Sequence, residues 1–84
     1  MKNFPNINEN QYAVVMADGR TGNILNIIKE WSLDNNHSIF SIFNSIDEAL
    51  NFIEKDQSDN DWIEYIIYDK NQSVVKYIEA TKWN

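Results

Sequence analysis

At 84 residues and 9.9 kDa the chain holds one domain, since a second core would need roughly 50 residues more. Thirteen acids against seven bases give a net charge of −6, and Arg20 is the single side chain with a bidentate phosphate-binding fork, which argues against nucleic-acid binding. The absence of Cys excludes a disulfide framework, a thiol nucleophile and a Cys-ligated zinc site, while 43 % hydrophobic residues, 12 of them Ile, exclude disorder for most of the chain.

Residues 1–10 carry four Asn and the single Pro, so they read as an irregular arm, with Phe4 and Ile7 available to pin it; residues 11–84 form the domain. From Gln11 to Ala17 the run Tyr12-Ala13-Val14-Val15-Met16 fits a buried strand. Asp18-Gly19-Arg20-Thr21-Gly22 follows as a hairpin turn with a bulge at Gly22. The segment Asn23 to Trp31 supports two readings. Ile24, Leu25, Ile27, Ile28 and Trp31 share one arc of a helical wheel, while the turn chemistry before them predicts the second strand of a hairpin. The strand is the expectation adopted, with a loop over Ser32 to Asn36.

Ser38 to Phe43 reads as a third strand. Ser45-Ile46-Asp47-Glu48 is a capping box, opening a helix over about 46–55 whose core stripe is Ile46, Ala49, Leu50 and Ile53. Gln57 to Asp61 reads as a polar linker. Trp62 to Tyr68 and Ser73 to Ile78 form a second hairpin about Asp69-Lys70-Asn71-Gln72, with Asn71 expected at positive φ. The fold class expected is α+β: a small antiparallel sheet built from two hairpins, with one helix packed on one face. Ile46, Leu50 and Ile53 are expected to pack on Val14, Ile66 and Val75 or their strand neighbours.

Catalytic, metal and cofactor sites are not expected. His37, with Asp34 and Ser38 nearby, lacks any motif of an activated nucleophile. Neither Asp56 nor Asp59 as first ligand places a Gly sixth and a Glu twelfth, so no calcium loop of the EF-hand type is present. Gly19 and Gly22 lack the company of a phosphate cradle and read as turn residues. What stands out is the charge distribution. Between Asp47 and Glu64 lie seven acids and one base, Lys55, so this segment carries the whole net charge and the other 66 residues are neutral on balance. Such a concentration steers basic partners and repels phosphate. Trp62 stands beside three of these acids, an arrangement suited to an anchor at a basic surface. The candidate partner-binding residues are therefore Glu54, Asp56, Asp59, Asp61, Trp62 and Glu64.

The run Ser41-Ile42-Phe43-Asn44-Ser45-Ile46-Asp47-Glu48-Ala49-Leu50-Asn51-Phe52-Ile53, followed by Ile66-Ile67-Tyr68-Asp69-Lys70-Asn71, resembles the small acidic immunity proteins of bacterial polymorphic toxin systems. The resemblance spans residues 38–78 and implies a non-enzymatic protein that blocks a toxin or nuclease by stoichiometric binding. Binding residues vary from pair to pair in such proteins, so no site is carried over. The expected partner is a basic protein, without nucleic acid or membrane, and the expected state a monomer or weak homodimer. The alternatives are a phage or mobile-element inhibitor whose acids imitate a phosphate backbone, and a small ligand-binding subunit. No apolar run approaches the roughly 20 residues of a membrane span, and Met1 to Asn10 lacks the apolar stretch of a signal peptide, so a cytoplasmic location is expected.

Overall fold

The computed structural model describes residues 3–32 and 38–83, and shows one α-helix packed against a five-stranded antiparallel sheet. In chain order the elements are β1 (Tyr12–Asp18), β2 (Ile24–Leu25), β3 (Phe40–Phe43), α1 (Ile46–Asp59), β4 (Ile63–Tyr68) and β5 (Val74–Ile78). The expected α+β class is therefore observed. Strand β1 lies at the centre: β4 pairs along one side of it, while β2 and β3 divide the other side, β3 opposite Tyr12 to Val15 and β2 opposite Met16 and Ala17. β5 pairs with β4 and closes the far edge.

Because directly opposed residues of antiparallel strands share a face, the pairing register sorts the sheet into two sides. Val14, Met16, Leu25, Ile63, Tyr65 and Ile67 face the helix and form one core with Ala49 and Ile53. Ile46, Leu50, Phe52 and Phe43 pack around this core, with Phe43 and Phe52 ring centroids 5.0 Å apart. The expected helix stripe is thus the buried one, but its partners require correction. Ile66 points to the opposite face, and Val75 is 45 % exposed. For Ile66 its strand neighbours Tyr65 and Ile67 take the core positions, as the expectation allows, since a one-residue step in a strand reverses the face. On β5 it is Ile78, and not Val75 or a neighbour of it, that packs against the core.

The helix starts where the capping box places it. Ser45 has extended backbone and its Oγ accepts from the Glu48 N–H at 3.1 Å, with Asp47 and Glu48 in the first turn at the positive pole. It ends later than expected, at Asp59 instead of Lys55 or Asp56, so Gln57 to Asp59 are helical and not linker. The polar residues there are engaged. Gln57 Nε2 donates to the backbone oxygens of Glu79 (2.8 Å) and Ile63 (3.3 Å), Ser58 Oγ donates to Lys55 O, and Asn60 Nδ2 donates to Asp56 O.

The largest departure is at residues 23–32, which form neither one long strand nor a helix. Ile24 and Leu25 fold back on Trp31 and Ser32 as a miniature hairpin: Leu25 bridges Trp31, Ser32 N–H donates to Ile24 O and Asn26 N–H to Glu30 O. Buried Asn26 organises the five-residue loop, its Oδ1 accepting from the N–H groups of Ile28 and Glu30 while Lys29 adopts φ 64°. An Asn side chain competing with the backbone in this way overrides helical periodicity. Three smaller corrections follow the same logic. In the β4–β5 turn, Gln72 (φ 62°) takes the positive φ expected of Asn71, while Asp69 Oδ1 accepts from the N–H groups of Asn71 and Ser73. A register shift interrupts the β4–β5 pairing between Ile67 and Tyr68. Gly22 has φ 79° as a turn glycine should, but Gly19 is required by crowding, because a Cβ there would lie 2.5 Å from Ala80 Cβ and 2.9 Å from Trp62 O.

The arm is pinned by Phe4, which meets Phe40 and Tyr68 edge-on at 5.3 and 6.1 Å on the side of the sheet away from the helix. The expected loop residues Asp34 to Asn36, and His37, lie outside the described residues.

Truncating the buried helix side chain, Ile53→Ala, should cost about 2 to 5 kcal/mol in urea melts, with half-buried Leu50→Ala costing less. Ser45→Ala should cost about 1 kcal/mol by the same measurement, since it removes one N-terminal acceptor and no core contact.

Candidate functional site

Of the six residues singled out by charge, α1 carries Glu54, Asp56 and Asp59, the turn after it carries Asp61 and Trp62, and β4 carries Glu64. The structure brings Asp56, Asp59 and Asp61 to the C-terminal end of α1. That end holds the negative pole of the helix, and its last turn contains no base. Two helical acids therefore sit where the backbone dipole disfavours them, and the fields of helix and carboxylates add.

Asp56 is tied down from two sides. Its Oδ1 lies 3.0 Å from Lys29 Nζ, and its Oδ2 accepts from the buried Tyr65 hydroxyl at 2.6 Å. Burial, and then the hydrogen bond and charge of Asp56, push the Tyr65 phenol far above its ordinary value. Tyr65 is thus a neutral donor at any physiological pH, and Asp56 is the hub joining α1, β4 and the 26–30 loop. Its neighbours Asp59 and Asp61 are exposed, and so is Glu54. The backbone oxygen of Asp61 accepts from the N–H groups of Thr81 and Lys82, so the C-terminal segment is anchored beside the acids.

Two of the six are placed apart from this group. Glu64 lies opposite Ala17, on the sheet face turned away from α1, where it accepts from the Tyr77 hydroxyl. That bond to Glu64 is the main cause holding the Tyr77 phenol above its usual range. Trp62 is half-buried and packs against the core, leaving it limited surface for a partner.

Two exposed tryptophans lie near this end, Trp83 in the C-terminal segment anchored at Asp61 and Trp31 on the miniature hairpin, 49 and 48 % exposed; of the two, Trp31 has a side-chain hydrogen bond to an acid. Its indole N–H donates to Asp18 Oδ2 at 3.4 Å, while Asp18 Oδ1 accepts from the Arg20 N–H. Ile27 and Ile28, 45 and 51 % exposed, project from the Asn26-braced loop next to it. Among the tryptophans, which as a class suit an interface, the sequence favours Trp62 over Trp31, and Asp18, Ile27 and Ile28 are not marked as site residues at all, because the miniature hairpin is what presents them. The available signal was Asn26, a polar residue in the middle of an otherwise apolar arc.

Among the described residues no three His, Cys, Asp or Glu side chains are grouped to hold a metal ion, and no helix is long and apolar enough to cross a membrane. Compared with known protein families, curated proteins and solved structures, the chain matches none.

Tyr65→Phe tests the hub by its pH dependence. The folded phenol titrates above the unfolded value of 10.0, so its contribution to stability is complete below that pH and declines as pH rises above it. Urea melts of the wild type should therefore lose stability more steeply than those of Tyr65→Phe between about pH 9 and 11, whereas at neutral pH the variant should be weaker by about 1 to 3 kcal/mol, the hydrogen bond to a charged acceptor.

Proposed function

We infer that the chain acts by stoichiometric binding to a basic protein, in the manner of an immunity protein that occludes a toxin or nuclease in the cytoplasm, and performs no chemistry itself. The observation that carries this reading is the end of α1. Asp59 at the negative pole, joined by Asp61, carries charge that the fold does not need there, since acids at a helix C-terminus cost stability and, unlike Asp56, these two side chains hold no other element in place. A cationic partner surface offsets that cost in the complex. Lys29 neutralises only Asp56, leaving the exposed Asp59, Asp61 and Glu54 to face the partner.

Charge of this kind governs encounter more than residence. The holding contact in this reading is Trp31, flanked by Ile27 and Ile28, because an exposed aromatic on a braced hairpin loses little freedom on docking. The resemblance of residues 41–53 and 66–71 to small acidic immunity proteins agrees with this mode of action. Trp62 supports the surface from beneath, through its contact with the core.

Co-expression with the product of a neighbouring toxin gene should restore growth. In the purified complex, association should slow steeply between about 50 and 300 mM salt. The double reversal Asp59→Lys, Asp61→Lys should lower the association rate more than it raises dissociation. Trp31→Ala should act mainly on dissociation, by about 2 kcal/mol or more. Failure of rescue, or a complex indifferent to salt and to all three substitutions, would overturn the proposal.

A further inference from the structure

The sheet face turned away from α1 is apolar nearly throughout. Its central row, Ala13, Val15 and Ala17, is at most 1 % exposed, and the larger hydrophobic residues directly opposite it on this face are Ile24, Phe40, Ile42, Ile66 and Tyr68. The neighbours are themselves uncovered. Ile24 and Ile42 on one flank are 38 and 40 % exposed, and on β5 Tyr77, opposite Ile66, and Val74, opposite Tyr68, are 52 and 58 % exposed, with Ile66 half-buried between. Phe4 of the arm covers the corner at Phe40 and Tyr68. An antiparallel sheet with one solvated face ordinarily alternates apolar and polar residues; here that face holds one charge in the strands, Glu64, already bonded to Tyr77.

We propose that this face packs against the same face of a second copy, giving a two-fold dimer layered helix, sheet, sheet, helix. Two observations favour a second copy. The molecule is a slab of 34 × 29 × 18 Å whose broad side is large enough for the roughly 800 Å² per partner of a standard interface. The charge also lies on the correct side. The acids of α1 and of its C-terminal end stand outward in such a dimer, away from the axis, so two chains of net charge −6 meet through nearly neutral surfaces. The acidic side remains open for a partner, so this inference does not depend on the proposed function.

Sedimentation velocity of the full chain from about 1 µM to 1 mM should show a species of twice 9.9 kDa, undiminished by added salt because apolar association is not screened. Ile42→Glu with Val74→Glu should leave a single-chain species with an unchanged circular dichroism spectrum. Val74→Thr with Tyr77→Thr, which keeps β-branched residues on β5, should weaken dimerisation by about tenfold or more and covers the case in which the Glu variant does not fold. A single-chain mass throughout, a dimer that survives both folded variants, or a different protein found bound to this face would overturn the proposal.

Discussion

Strand β1 is the constraint on which everything else rests. Five consecutive residues, Ala13 to Ala17, are at most 3 % exposed, so the strand is buried on both faces as well as paired on both edges. In a sheet with one helix, such a strand must occupy the centre, because no edge position hides so much apolar surface. Once it is central, its neighbours are limited by its seven-residue length. β4 takes all of one side, and the other is shared by two shorter strands. The long excursion between β2 and β3 follows, as does the miniature hairpin that carries Trp31.

The Asp56 hub depends on that arrangement. Its two partners come from Tyr65, directly opposite Met16 of β1, and from Lys29, in the loop that β2 launches from the same end of β1. A carboxylate near the negative pole of a helix is poorly placed on local grounds, and here it is stabilised by a phenol donor and an ammonium group drawn from two other elements. The acids that follow it, Asp59 and Asp61, have no such duty in holding the fold together. This division between a committed carboxylate and its exposed neighbours is what makes the helix end readable as a binding surface.

Local chemistry was legible wherever one interaction decided the outcome. Ser45, Asp47 and Glu48 located the start of α1, and the β-branched and aromatic run Trp62 to Tyr68 located a strand, because capping and strand propensity each act over a few residues. Which face of β4 met the helix was not legible. Ile66 and Ile67 are chemically identical, and only pairing with β1 separates them. The residues at 23–32 were misread for a different reason: both candidate periods were present, and the deciding group was one buried Asn side chain satisfying two backbone donors. At the candidate site the acids were visible as charge, but their split between two faces was not, since Asp56 and Glu64 are eight residues apart in sequence and separated in space by the sheet itself.

That separation is the basis for the two roles proposed for so small a chain. A slab 18 Å thick has two broad sides and little interior, so each side meets its surroundings almost independently of the other. On the helix side, charge accumulates where the dipole already makes the potential negative, an arrangement that favours rapid encounter with cations and is weakened by salt. On the other, apolar side chains face outward around Glu64 and Tyr77, an arrangement that favours slow dissociation and is not screened. Under the two proposals, one fold would thus give one salt-sensitive and one salt-insensitive association. The two surfaces are therefore distinguishable in solution by salt alone, without removing a single side chain.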